Sequence, residues 1–202
     1  MDLVIVAAVG YLVGSVPFAY IIGKAFYRID VRNHGSGNLG GSNTGRVLGK
    51  KAGVAVMTMD LLKVTLSVFL SLKISHHSWN MACGALSAAI GHCYPIYVRF
   101  RGGKAVAALY GFLFALWSCA GYSALVFFVP LVTFLTVLVI FKIVSLSSIL
   151  SSIAAVVYIC VIKAHSSVRL TVAVFAVLIL LRHSGNIQRM ISGTERHIQW
   201  IK

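Results

Sequence analysis

The stretch AVAALYGFLFALWSCAGYSALVFFVPLVTFLTVLVIF, residues 105–141, is 37 residues long and carries no charge. As one α-helix, at 1.5 Å per residue, it would measure roughly 55 Å. The hydrocarbon core of a bilayer is only about 30 Å thick. The stretch therefore reads as two helices joined near Ser118–Ser123, with Gly121 at the turn. Five further apolar segments, at about 3–22, 54–73, 79–98, 146–162 and 169–182, complete the pattern. The expectation is an all-α polytopic membrane protein with seven transmembrane helices, built as a single integral membrane domain over residues 1–202. Residues 3–22 follow Asp2 without a basic leader region or a small-residue cleavage site, so they read as a retained first helix.

Charge sets the orientation. With the N-terminus outside, Lys24, Arg28, Arg32, Arg46, Lys50, Lys51, Arg99, Arg101, Lys104, Lys142 and the cations of the tail all fall on the cytoplasmic side. Only Lys73, Lys163 and Arg169 fall outside, which is the positive-inside pattern. Fusing the two helices of residues 105–141 would send Lys142 and the basic tail outside, so the charges also favour the split. The C-terminus is expected to be cytoplasmic.

Composition narrows the class. The chain has 202 residues, of which 59% are hydrophobic and 11% charged, where a soluble domain carries about 25% charged residues. Its 18 Lys and Arg outnumber 4 acids, for a net charge of +14. In a soluble protein that excess would point to nucleic acid; in a membrane protein it points to anionic headgroups and anionic substrates. Cys83, Cys93, Cys119 and Cys160 lie in apolar stretches without metal-ligand spacing and read as small core residues. No metal, no cofactor and no obligate protein partner is expected. Asp60 and Lys63 share one face of their helix and should pair or face the interior.

The most unusual polar stretch is residues 32–53, which holds Gly35, Gly37, Gly40, Gly41, Gly45, Gly49 and Gly53, the cations Arg32, Arg46, Lys50 and Lys51, and no acid. Glycines expose backbone N–H groups and let the chain approach a ligand, and successive N–H groups suit an anion. Ser36, Asn38, Ser42, Asn43 and Thr44 add donors. Read alone, this island is either a phosphate-binding loop or a basic connector between helices; it lacks the Walker pattern. The expected topology puts it on the same face as Arg99-Phe-Arg-Gly-Gly-Lys104, Ser145 and Arg182-His-Ser-Gly-Asn186. These stretches can converge on one site for a phosphorylated small molecule.

The acids limit the chemistry. Apart from Asp2 they are Asp30, Asp60 and Glu195, too few for a paired-carboxylate hydrolase or a carboxylate-held divalent metal. No His is followed five positions later by Asp, so a His-x-x-x-x-Asp acyltransferase motif is absent. A reaction on an already activated electrophile, such as an acyl phosphate, needs only positioned anions and stabilised charge. Glycine N–H groups, Lys and Arg suit that task. A transporter of phosphorylated metabolites is the alternative, although it would need polar lining through mid-membrane, where only Asp60 and Lys63 lie. A non-enzymatic lipid-binding scaffold would not need the ordered Gly-Ser-Asn pattern.

At these motifs the chain resembles the bacterial acyl-phosphate:glycerol-3-phosphate acyltransferases. The first motif is matched by Gly35-Ser36-Gly37-Asn38-x-Gly40-x-x-Asn43-x-x-Arg46-x-Leu48-Gly49-Lys50-Lys51-x-Gly53. The second is matched by Gly91-His92-x-x-Pro95 with Phe100-x-Gly102-Gly103-Lys104, and Val144-Ser145-Leu146 is a shorter match. Arg182-His183-x-x-Asn186-Ile187-x-Arg189 with Gly193-x-Glu195 resembles the third. The resemblance implies seven membrane helices in the bacterial inner membrane. It also implies acyl phosphate and glycerol 3-phosphate as substrates, lysophosphatidic acid as product and membrane lipids as surroundings. By motif match Ser36, Arg46, His183 and Asn186 are the expected catalytic residues. Gly35, Asn38, Gly40, Asn43, Gly102, Gly103, Lys104 and Ser145 are the expected substrate-binding residues. The family is thought to let a substrate phosphate accept the alcohol proton. The chain departs from the motif at Gly41-Ser42, Val64, Ala105, Ala108 and Gly185. At Gly185 the family pattern carries Glu, which removes an expected structural ion-pair partner.

Overall fold

The computed structural model describes residues 1–74 and 77–198. His76, in the loop expected at 74–78, and Lys202, at the end of the tail, lie outside the described residues. Among the described residues the chain forms ten α-helices and no strand. They are α1 (Asp2–Gly14), α2 (Phe18–Tyr27), α3 (Gly41–Leu48), α4 (Lys50–Ile74), α5 (Ser78–Cys93), α6 (Val106–Cys119), α7 (Leu125–Phe141), α8 (Val144–Val161), α9 (Ser166–Arg182) and α10 (Ser184–Ile191). Short 3₁₀ turns occupy Val31–Asn33 and Ile96–Val98.

Asp2–Tyr27, α4, Ser78–Val98 and α8 are each long and apolar enough to cross a membrane. The α9–α10 pair joins them if its 59° bend lies within one span, and α6 and α7 are shorter apolar helices. The long run at 105–141 does divide: α6 ends at Cys119, α7 starts at Leu125, and Gly121 takes a positive φ of 75° in between.

Several boundaries differ from the sequence expectation. The first apolar segment is broken at Ser15–Pro17, because Pro17 has no N–H to continue the helical ladder. The third ends at Cys93, just short of Pro95, and Ile96–Val98 is a separate turn. The glycine island is partly helical, as α3, and the tail opens with α10. Cys119 and Cys160 are exposed on apolar helices, so only Cys93 is fully buried in the expected manner.

The chain divides into two compact units, Met1–Ala115 and Leu116–Lys202. In the first, α1 packs on α5 and α4, and α3 packs on α4. Gly10 and Gly14, one turn apart on α1, lie against the backbones of Gly84 and Ala88 on α5. Gly53 meets Gly45 so closely that a Cβ at 53 would stand 2.6 Å from the Gly45 Cα. Small residues at these crossings let helix backbones approach, as in lipid-embedded bundles. Hydrogen bonds between elements join in: Ser67 Oγ donates to the Gly84 carbonyl at 2.9 Å, and Thr65 Oγ1 to that of Gly111 at 2.9 Å.

In the second unit, α8 packs between α7 and α9. The inner face of α8 carries five serines, Ser145, Ser147, Ser148, Ser151 and Ser152, beside Ile149, Ala155 and Ile159, while Ile153, Val157 and Val161 point outward. Polar inside and apolar outside is the pattern of a helix whose solvent is lipid. Ser148, Ser151 and Ser152 satisfy their hydroxyls on carbonyls of their own helix, and Ser147 on that of Ile143 just before it, at 2.7–3.1 Å. Trp117, Phe127 and Phe128 stack around the α6–α7 turn, with ring centroids 5.4–6.4 Å apart.

Candidate active site

In the first unit the island folds around one buried amide. Asn43, on the first turn of α3, donates through Nδ2 to the carbonyls of Val31 (3.0 Å) and His34 (3.1 Å). Its Oδ1 accepts from the backbone N–H of Ser36 at 2.8 Å. The hairpin-like path at 34–37 depends on Gly35 and Gly37, which take φ of 64° and 70°. A Cβ on Gly35 would collide with the Asn43 Oδ1. Asn43 therefore bears on the site through the loop it folds. Ser36 is exposed on that loop, Asn38 is half-buried beside Gly40, and Gly40 is the extended residue that starts α3. Arg46 lies exposed on the last turn of the same helix.

A cleft of about 600 Å³ opens next to the island, lined by Tyr20, Asp30, Arg32, Asn33, Tyr97, Val98, Arg99 and Arg101. Arg32 anchors it. Its guanidinium grips both oxygens of Asp30, at 2.7–3.3 Å, and lies 4.7 Å over the Tyr20 ring. The Arg32 fork holds the Asp30 carboxyl below its ordinary value of 3.8.

The Arg99–Lys104 turn is seated on His92. Gly102 and Gly103 are buried, and Lys104 is half-buried behind them. The Gly103 N–H donates to the His92 carbonyl at 2.9 Å. A Cβ at 103 would overlap the His92 ring, and one at 102 would overlap the His92 carbonyl. These two positions admit no side chain. Behind the ring, Asp60 Oδ1 lies 3.6 Å from His92 Nδ1 and 2.7 Å from Lys63 Nζ. The Asp60–Lys63 pair is thus formed, as its spacing on α4 predicts.

In the second unit Glu195 gathers two residues of the third motif, Asn186 and Arg189, together with Ser145. Its Oε1 accepts from Ser145 Oγ (2.8 Å) and Asn186 Nδ2 (2.6 Å), and its Oε2 accepts from Arg189 Nε (2.8 Å). Partial burial raises the Glu195 proton affinity, but the bonds from Asn186, Ser145 and Arg189 outweigh it, so its pKa falls below 4.5. His183 is buried at the α9–α10 bend, with Nδ1 2.8 Å from the Ile179 carbonyl. A carbonyl can only accept, so Nδ1 carries the proton, and in the neutral ring Nε2 is the acceptor.

Ser145 and Asn186, expected at the site from separate stretches, are therefore brought together, as are Gly102, Gly103 and Lys104. The sequence marks Glu195 as one of the few acids and as the end of a motif, but not its part in holding Ser145 and Asn186. The signal was its scarcity, as one of four acids in the chain. His92, matched in the sequence as part of the second motif, is the seat of the glycine pair. Asp30, Asp60 and Glu195 are each held by a cation, Arg32, Lys63 and Arg189 respectively.

A sequence profile described as glycerol-3-phosphate acyltransferase matches residues 4–193. The glycerol-3-phosphate acyltransferase of Geobacillus kaustophilus is 43% identical over 198 residues, covering 97% of this chain and 96% of its own length. That of Listeria monocytogenes serotype 4a is 40% identical over 205 residues, covering 100% and 99%. The fold is similar to the crystal structure of PlsY, an integral membrane glycerol 3-phosphate acyltransferase, in its glycerol 3-phosphate form. The TM-score is 0.90 at 33% identity, over 98% of this chain and 96% of that one. The lysophosphatidic acid form gives 0.88 at 32% identity with the same coverage. With the profile spanning nearly the whole chain and these relatives at 40% identity or more from end to end, the chain belongs to the glycerol-3-phosphate acyltransferase family.

Proposed function

We propose that this integral membrane protein transfers an acyl group from an acyl phosphate to the 1-hydroxyl of glycerol 3-phosphate, releasing lysophosphatidic acid and inorganic phosphate. One observation carries the reading: each acid except the N-terminal Asp2 is already ion-paired. Away from the N-terminus, a reaction run by this chain has no carboxylate outside an ion pair to serve as general base. An acyl phosphate needs none. The hydroxyl oxygen attacks the acyl carbon, the bond from that carbon to the phosphate oxygen breaks, and the alcohol proton passes to a substrate phosphate. The protein's part is to hold two anions in line and stabilise the charge that develops.

Gly102, Gly103 and Lys104 take the glycerol 3-phosphate, with backbone close approach and a cation. Ser36 and Arg46 bind the acyl-phosphate group on a loop shaped by Gly35, Asn38, Gly40 and Asn43. Ser145, His183 and Asn186 act on the same reaction, with Ser145 and Asn186 oriented by Glu195. The hydrogen bonds that hold Asn43, Gly103, Ser145, His183 and Asn186 in place support these roles. Asp2–Tyr27, α4, α5, α6, α7, α8 and α9 supply seven crossings of a bacterial inner membrane. The N-terminus is outside and the substrate-binding stretches are cytoplasmic, and the charge asymmetry supports that orientation. Residues 1–202 act as one acyltransferase domain, consistent with a profile match that runs through both units.

The test is reconstitution in liposomes with acyl phosphate and labelled glycerol 3-phosphate. Label appearing in lysophosphatidic acid, one per phosphate released, is the expected result. Uptake of label into the lumen without acylation would make the protein a transporter instead.

A further inference from the structure

The Asp60–Lys63–His92 cluster is buried where charge is expensive. The relative exposures of the three residues are 2%, 6% and 5%. A membrane helix keeps such a group when it does something an apolar residue cannot. Here the contacts form an ordered series. The Val16 carbonyl lies in the break of the first apolar segment, between α1 and α2. Lys63 Nζ donates to that carbonyl at 2.8 Å and lies 5.7 Å from the Phe18 ring centroid. The same ammonium holds Asp60 at 2.7 Å, and Asp60 faces His92 Nδ1 at 3.6 Å. The opposite edge of the imidazole fills the space beside Gly103, and the His92 carbonyl takes the Gly103 N–H.

The turn on that seat is strained. Arg99, Phe100 and Ala105 flank the glycine pair with φ of 57°, 59° and 61°, in a region side chains disfavour. Non-glycine residues hold such angles only where the surroundings over-determine them. His92 contacts this turn through both its ring and its carbonyl, and its ring is faced from behind by Asp60.

We propose that Asp60, Lys63 and His92 are positioning residues for the glycerol 3-phosphate turn. The ion pair fixes the His92 ring, and the ring sets where Gly102, Gly103 and Lys104 stand. The inference rests on the reading above that this turn takes glycerol 3-phosphate. Misplacing a binding group by about 1 Å costs on the order of 100-fold, and the loss should fall on one substrate only.

The experiment measures KM for each substrate separately, and kcat, with reconstituted full-length variants. Asp60→Asn and His92→Ala should each raise KM for glycerol 3-phosphate by about 10- to 100-fold, with KM for acyl phosphate within about twofold. Because Asp60→Asn leaves Lys63 buried and unbalanced, and can fail to fold, a second pair tests the contact directly. Gly103→Ala should raise the same KM in the parent protein, and should add nothing in the His92→Ala background, where the colliding ring is gone. Independent multiplication of the two effects, or equal losses for both substrates, overturns the proposal. Lys104→Ala run in parallel separates the two claims. If it raises KM for glycerol 3-phosphate and the His92 variants do not, only the positioning role falls. If Lys104→Ala leaves that KM unchanged, the assignment of the turn falls, and this inference with it.

Discussion

Asn186 Nδ2 donates to Glu195 Oε1 at 2.6 Å, and the same oxygen takes the hydroxyl of Ser145. One carboxylate thus orients two polar groups that lie 41 residues apart in the chain, 186 minus 145. Replacing Glu195 with Gln keeps the shape but loses the charge, and sets an amide N–H₂ against existing donors. Leaving such a donor unsatisfied costs about 1–3 kcal/mol. Glu195→Gln should melt several degrees lower in detergent and lose most of its acyl transfer. An unchanged melting temperature and unchanged turnover would remove Glu195 from this role.

The same carboxylate predicts an acid limit. Its pKa in the folded protein lies below the ordinary value of 4.5, so the folded state binds protons more weakly than the unfolded chain. Its contribution is complete above about pH 4.5 and is lost as pH falls from there through the lowered folded value. Melting curves of parent and Glu195→Gln, taken from pH 6 down to pH 3, should differ most at the upper end and converge at the lower. A gap that stays constant with pH would contradict the assignment.

Gly14 on α1 lies against the Ala88 backbone on α5, with no room for a Cβ. Gly14→Val should force the two helices apart, at a cost of about 1–3 kcal/mol for overpacking. The check is thermal unfolding beside Val4→Ala, an exposed position on the same helix. Equal melting temperatures would contradict a close α1–α5 crossing at Gly14.

Asn43→Ala should unfold the island locally without dismantling the bundle. It removes both donors to Val31 and His34 and the acceptor for Ser36. Turnover should fall at least tenfold, on the order of the 1.4 kcal/mol that one good hydrogen bond supplies, while α-helix content by circular dichroism stays level. Asn43→Asp keeps the acceptor and loses the two donors, and should fall between the parent and the alanine variant.

Much of this was legible before any coordinates. The uncharged run at 105–141 is too long for one crossing, and Gly121 marks where it turns. Asp60 and Lys63 pair because three residues on a helix bring them to one face. Other features were hidden for physical reasons. Helix α3 has the sequence GSNTGRVL, poor in strong helix formers, and forms because Gly41 and Gly45 dock it on α4 at Gly53. Gly10 and Gly14 do carry a legible small-xxx-small spacing within an apolar segment, and the α1–α5 crossing could have been read from it. Pro17 was likewise a readable break. The Asp60–His92 and Ser145–Glu195 contacts were not readable, because each joins residues distant in sequence, and the Asn186 and Arg189 contacts of Glu195 follow no helical or strand period.

In the proposed reaction the acyl donor arrives already activated, so that no carboxylate base is required. The most direct measurement offers purified protein in lipid either acyl phosphate or the matching coenzyme A thioester, each with labelled glycerol 3-phosphate. Acyl phosphate should give lysophosphatidic acid and inorganic phosphate in equal amounts, and the thioester no product. Comparable product from the thioester, or phosphate release without lysophosphatidic acid, would contradict the account.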